Sequence, residues 1–230
     1  MTGSRKWPAT AWRKLLELVL PALDALPADC AWTLGGGTAL ALELGHRISY
    51  DIDLFFENAR ALRLLSPQRN PHVRALAGSW QEPGHYLKLE RPEGAIDFLV
   101  GALRTASPTW RYDFDGRRVA VETPAEILAK KLHFRGSRLL VRDIFDLLAL
   151  CDRDPGSLAR AVVASPEGTR RAIDRIERLA GRYRATVDEE VNPTQAGTRY
   201  LGADPLAAAA ALRTALESPA GGEPDLLQPD

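Results

Sequence analysis

An α+β architecture, a sheet of four or five strands with flanking helices followed by a helical C-terminal region, is predicted from three features of this 230-residue sequence. Short strand-like runs bounded by Pro or Gly fill the first half, a glycine triplet joins the first run to a helix-forming segment, and helix caps with helical periodicity take over from Thr123. In chain order, Trp12, Leu15, Leu16, Val19, Leu23 and Leu26 fall at helical spacing between Thr10 and Leu26, with Pro21 as a kink. Ala31-Trp32-Thr33-Leu34 is a short apolar run ending at Gly35-Gly36-Gly37, and Thr38 to Leu44 has helix-forming composition closed by Gly45. Strand, glycine turn, helix is the inferred order. Tyr50 to Phe56 alternates carboxylate with apolar residues, and His85–Glu90, Ala95–Val100 and Arg117–Val121 also read as strands.

Thr123-Pro124-Ala125-Glu126 combines an N-cap, a proline at the first helical position and a glutamate placed for a capping box, so a helix is expected to about Phe134. A second, from Leu139 to Cys151, carries Leu140, Ile144, Leu147, Leu148 and Cys151 on one side, and Gly136-Ser137 would fold the two into a hairpin. Beyond Asp154-Pro155-Gly156 come an Arg- and Glu-rich helix from Gly168 to Tyr183 and an alanine-rich helix capped by Asp204-Pro205. Ser218 to Asp230 is Pro- and Gly-rich with little apolar content and is expected to fray.

Composition narrows the function class. With 45% hydrophobic and 26% charged residues the chain can bury a core, and no run approaches the roughly 20 apolar residues of a membrane span. No export signal is visible, since Arg13, Lys14 and Glu17 interrupt the first hydrophobic segment. Cys30 and Cys151 form neither a disulfide framework nor a close-spaced metal pair, so a cytoplasmic setting with no membrane partner is expected. Thirty Lys plus Arg balance thirty Asp plus Glu, so no overall field draws the chain to nucleic acid or anionic lipid, although Arg135, Arg138 and Arg142 offer a local phosphate-contact surface.

The sharpest chemical feature is Asp51-Ile52-Asp53-Leu54-Phe55. Residues two apart on a strand share a face about 6–7 Å apart, so both carboxylates can meet one ligand while Ile52 and Leu54 anchor the strand. Two such charges need a counter-ion, and Mg²⁺, with its preference for carboxylate, water and phosphate oxygens, suits them. Gly36-Gly37-Thr38 lies at a strand-to-helix turn, where free N–H groups favour a phosphate. Read singly, the glycines also suit a plain tight turn and the Asp-x-Asp a solvated edge strand. Asp97, inside the apolar run Ala95 to Val100, either completes the metal cluster or bonds backbone amides at a strand end. His46, His72, His85 and His133 are widely separated and take no catalytic role, while Trp80 and Trp110 could stack on a base but read first as packing residues.

Four motifs in order carry a resemblance: Gly36-Gly37-Thr38-Ala39-Leu40; Gly45-His46-Arg47-x-Ser49-x-Asp51-Ile52-Asp53-Leu54-Phe55; Thr123-Pro124-x-Glu126-Ile127-Leu128-Ala129-x-Lys131-Leu132; and Arg142-Asp143-x-x-Asp146-Leu147. Over residues 30–150 the sequence resembles the AbiEii/AbiGii-toxin family of nucleotidyltransferases. The resemblance implies the polymerase-β-like nucleotidyltransferase fold, a mixed sheet flanked by helices, and transfer of a nucleotide from an NTP with Mg²⁺ or Mn²⁺ as cofactor. Residues 1–122 would then be the nucleotidyltransferase core with its N-terminal helix, 123–217 a helical region completing the active site, and 218–230 a flexible tail.

Carried over residue by residue, the resemblance has Gly36, Gly37 and Thr38 hold the triphosphate, Asp51 and Asp53 bind metal, and Lys131 contact nucleotide phosphate, with Lys130 an exposed helix residue. Arg47 would pair with phosphate, and Ser49 would bond Asp51 or accept the transferred group. Asp143 and Asp146, at i, i+3 on one helix face, would orient Lys131 or the acceptor hydroxyl, Asp143 being preferred; salt bridging to Arg135, Arg138 or Arg142 is the purely structural alternative. The expected acceptor is RNA, tRNA foremost, or a protein, and the expected role is the toxin of a toxin–antitoxin or phage-defence system with a cognate antitoxin. A degenerate member that binds nucleotide or a partner without chemistry is the alternative, against which the retained aspartates and Lys131 argue. The glycine turn and the lysine helix likewise disfavour a glycosyltransferase or an aspartyl phosphatase.

Overall fold

The computed structural model describes residues 10–217, so the tail expected to fray lies outside the described residues. The chain opens with α1 (Trp12–Asp24), which runs through Pro21, then β1 (Trp32–Gly35) and α2 (Gly36–Leu44). Next come β2 (Arg47–Ile48), β3 (Ile52–Phe56), α3 (Arg60–Leu65), α4 (Pro71–Leu76), β4 (Ser79–Gln81), β5 (Tyr86–Arg91), β6 (Gly94–Val100), β7 (Thr109–Phe114) and β8 (Arg117–Glu122). Helices α5 (Pro124–Arg135), α6 (Val141–Arg153), α7 (Pro155–Ala164) and α8 (Pro166–Glu190) follow, then β9 (Asn192–Pro193) and α9 (Pro205–Glu217).

The sheet has seven strands in the order β4-β5-β6-β3-β1-β8-β7, with β3/β6 and β1/β8 parallel and the other pairs antiparallel. It is therefore mixed and wider than the four or five strands expected. The two additions, β4 and β7, are its edges, where half-solvated strands carry little apolar signal. A second, two-stranded sheet joins β2 to β9. Because Arg47 and Ile48 belong to that pairing, β3 begins only at Ile52, and Asp51 precedes the strand it was expected to lie within. One continuous apolar core runs from Leu15 in α1 through Leu34, Ile52, Phe98 and Val121 of the sheet to Ile176 and Leu212 of the last helices.

Three helical expectations need correction. Thr123 does cap α5, its Oγ1 accepting from Glu126 N at 3.3 Å, but the Glu126 carboxylate does not complete a capping box. It turns inward and accepts from Arg104 N, Thr105 N and Thr105 Oγ1, tying the segment after β6 to α5. Helices α5 and α6 do not pack as a hairpin: α5 lies on α7 and α8, α6 on α8 and α9, and a short 3-10 turn over Gly136–Arg138 separates them. The helix expected from Gly168 to Tyr183 runs Pro166–Glu190 and is preceded by α7, which the sequence reading did not place and which starts at Asp154-Pro155, with Asp154 Oδ1 accepting from Ser157 N at 2.9 Å. Among the described residues no helix is long and apolar enough to cross a membrane.

Candidate active site

Register places the site. Pairing of β5, β6 and β3 puts Lys88 beside Asp97 and Asp97 beside Asp53, while β1 sets Gly35 opposite Asp53. These side chains form a charged row across one face of the sheet, at the floor of a cleft of about 430 Å³. Gly36, Gly37, Arg47, Ser49, Asp51, Asp53, Asp97, Lys131 and Asp143 all line it; Thr38 and Asp146 do not. The helix α5 forms one wall, and Arg135, Arg138 and Arg142 rim it.

At the turn into α2, Gly36 takes φ +65°, and a Cβ there would collide with the Asp53 carboxylate, so only glycine lets the two approach. A Cβ on Gly37 would come within 2.5 Å of Arg47 Nη2. The helix N-terminus thus opens onto the acids with bare backbone. Thr38 is buried and donates its hydroxyl to Asp51 O, so it fixes the loop to the acidic segment and its hydroxyl is already engaged.

The sheet carboxylates are poorly compensated. Burial pushes Asp53 up to about 6, and Asp97 and Asp51 add to the rise. Asp97 is raised mainly by burial, although Lys88 Nζ lies 3.1 Å from its Oδ2 and pulls the other way. Asp51, exposed, accepts from Ala95 N at 2.7 Å. Among the described residues no three His, Cys, Asp or Glu side chains are gathered tightly enough to hold a metal ion, while Asp97 lies next to Asp53 in register and acts on it electrostatically.

The helix carboxylates show the opposite balance. Asp146 Oδ1 receives Arg47 Nε at 2.6 Å and His46 Nε2 at 2.8 Å, while its Oδ2 receives Lys131 Nζ at 2.5 Å and Arg47 Nη2 at 3.1 Å. Burial opposes ionisation, yet Arg47, Lys131 and His46 outweigh it and hold Asp146 well below the usual carboxylate range. Asp143 is likewise held low against burial by Lys131 at 3.0 Å, Arg135 and the Leu140 N–H. Both acids therefore bind Lys131, and of the three arginines named as structural partners Arg135 approaches Asp143 at 3.6 Å. Arg47 reaches Asp146 while still lining the cleft.

Sequence reasoning missed several participants. His46 is fully buried, stacked on Phe145, and bonded to Asp146; burial lowers it, so the imidazole is neutral at pH 7. Lys130 is buried rather than exposed: its Nζ sits 2.6 Å from Glu122 Oε1 and 4.1 Å from the Phe55 ring centroid. Lys88 could have been found only by pairing β5 with β6. Trp80 and Trp110 pack against the core and do not line the cleft.

The family described as "Nucleotidyl transferase AbiEii toxin, Type IV TA system" matches residues 18–217, and the chain belongs to that family. It is a nucleotidyltransferase by that membership, with the mixed sheet and helical C-terminal region expected of it. No curated protein matches the chain. The crystal structure of ANT(2″)-Ia in complex with adenylyl-2″-tobramycin is similar at 20% identity and a TM-score of 0.47, covering 69% of this chain and 97% of that one. A solution structure of the antibiotic-resistance factor ANT(2″)-Ia is similar at 19% identity and a TM-score of 0.39, covering 77% and 96%.

Proposed function

We propose that this nucleotidyltransferase moves a nucleotide from an NTP to an RNA acceptor, tRNA foremost, with Mg²⁺ or Mn²⁺ held by Asp51 and Asp53, and that it acts as a toxin paired with an antitoxin. One observation carries the reading: a single cleft sets Asp51, Asp53 and Asp97 against cations on α5 and the segment leading into α6, with the N-terminus of α2 between them. The donor set fits a divalent cation, because Asp53 is raised first by burial and then by Asp97 and Asp51, and a bound cation offsets the cost of all three. When bound, that ion supplies charge neutralisation at the reacting phosphate.

The chain's own residues do the positioning. Backbone N–H groups at Gly36 and Gly37 receive phosphate oxygens at the helix N-terminus. The Lys131 ammonium has three donors; Asp146 engages one and Asp143 attracts the charge from 3.0 Å, which fixes its direction and leaves donors for a phosphate in the cleft. Attack by the acceptor hydroxyl oxygen on the α-phosphorus forms one P–O bond and breaks the bond to pyrophosphate, and the hydroxyl proton leaves on the side of the sheet carboxylates. Arg135, Arg138 and Arg142 at the rim meet the acceptor's phosphates.

The test incubates the protein with each α-³²P-labelled NTP, Mg²⁺ or Mn²⁺, and total tRNA or cell lysate, beside the double variant Asp51→Asn, Asp53→Asn. Label entering tRNA with the wild type alone is the expected result. Label entering protein instead would reassign the acceptor, and NTP binding without transfer to any acceptor would make the chain a binder.

A further inference from the structure

Two residues along the sheet from the charged row lies a second, apolar one. The registers that align Lys88, Asp97 and Asp53 also align Tyr86, Leu99 and Phe55, on the same face and in the same cleft. The two rows are about 6–7 Å apart by strand geometry. Phe134, near the end of α5, lines the same cleft near Phe55: it is 47% exposed, and a Cβ on Gly101 would lie 3.3 Å from Phe55 Cδ1 and 3.5 Å from Phe134 Cε2.

The row is rigid on both sides. Phe55 is clasped between two glycines, since a Cβ on Gly35 would come 2.8 Å from its other edge, and Lys130 Nζ sits over its ring. Lys130 is itself fixed by Glu122. The Tyr86 hydroxyl donates to Gln81 Oε1 at 3.1 Å, which sets that ring at the far side. A rigid apolar shelf with an exposed phenylalanine beside it has no work to do for phosphates or metal. A large exposed aromatic in a polar cleft marks a place for a flat apolar partner.

We propose that Tyr86, Leu99 and Phe55, with Phe134 folding over them, form the subsite for the nucleobase of the incoming NTP. The proposal rests on the reading that the cleft takes an NTP and adds where its base lies. The charged row and the α2 N-terminus take the triphosphate end, and the base slides along the sheet onto the apolar row with Phe134 against its face. Stacking of this kind is tolerant of base identity, because every base presents a π-face.

Calorimetric titration of each of the four NTPs and of inorganic tripolyphosphate, with Mg²⁺ present, into the wild type, Phe134→Ala and Phe134→Trp tests it. The wild type should bind at least one NTP more tightly than tripolyphosphate. Phe134→Ala should weaken that NTP at least about fivefold, the scale of one stacked base, and leave tripolyphosphate within about twofold, which also shows that the variant is folded. Phe134→Trp should keep the NTP affinity. Equal losses for both ligands in Phe134→Ala, no loss for either, or a wild type that binds NTP and tripolyphosphate alike would overturn the subsite alone. A wild type that binds neither would overturn the nucleotide reading together with it.

Discussion

Two pairs of aspartates in this molecule, Asp51 with Asp53 on the sheet and Asp143 with Asp146 on α6, carry the same carboxylate through opposite surroundings. Burial raises both Asp53 and Asp146, but Asp53 also meets Asp97 and Asp51 and rises to about 6, whereas Arg47, Lys131 and His46 outweigh burial at Asp146 and hold it well below its ordinary value. Among the described residues the sheet pair thus has no ion-pair partner and feels Arg135 and Lys131 only at a distance, whereas the helix pair is already ion-paired. On the reading proposed above, the acid pair in the cleft is the binding element, and the ion-paired pair beneath it is the scaffold that aims Lys131. Substitutions should therefore separate activity from stability according to which pair they touch.

The largest expected effect breaks the sheet pair. Asp53→Asn should lower nucleotide transfer by about 10³-fold, the loss of several kcal/mol of transition-state stabilisation, while Tm stays level or rises because a buried like-charge contact is removed. Thermal melting beside the label-transfer assay reads both halves. A fall in Tm comparable with the loss of activity would contradict the assignment.

Next in size is Asp146→Asn, which leaves Arg47 and Lys131 facing a neutral amide in a buried site. Unfolding free energy should drop by about 3 kcal/mol in urea titrations at pH 7. The sign of the pH dependence follows from the depressed value: the contribution of Asp146 is fully present above the unfolded pKa of about 4 and is lost as pH falls through the folded one. The gap between wild type and variant should stay constant from pH 7 to about pH 5 and shrink below pH 4. A gap that widened in acid would mean that the carboxylate is not held ionised.

Much of the sheet site was legible in the sequence because its determinants are local. The two-residue spacing of Asp51 and Asp53 points to one cleft even though only Asp53 lies within β3, Gly36 marks a turn, and Thr123-Pro124 announces α5. The helix site was only half legible. Asp143 and Asp146 share a helix face with a three-residue spacing, but the partners His46 and Arg47 come from about 100 residues upstream and meet Asp146 only in the fold. Lys130 was misread because a lysine on a helix usually points to solvent, and Glu126 because a capping box was expected of it; here Glu122 and the Arg104–Thr105 amides draw the two inward. Strands β4 and β7 escaped because edge strands need little apolar alternation.

Two smaller effects sharpen the comparison further. Millimolar Mg²⁺ should raise the Tm of the wild type, by the few degrees that ~1–2 kcal/mol of ligand linkage supplies, and should not raise that of the Asp51→Asn, Asp53→Asn variant. Replacing Arg135, Arg138 and Arg142 together by Gln should weaken tRNA binding and flatten the slope of log affinity against log salt by about 2. An unchanged slope would remove these arginines from the RNA surface.

The distinction between the two acid pairs is tested most directly by Mn²⁺ titration followed by electron paramagnetic resonance, at pH 7, on the wild type and on the Asp51→Asn, Asp53→Asn variant. The account predicts saturable Mn²⁺ binding to the wild type that disappears in the variant while its fold and melting temperature persist. Equal Mn²⁺ binding by both proteins would contradict it and place the cation away from the sheet carboxylates.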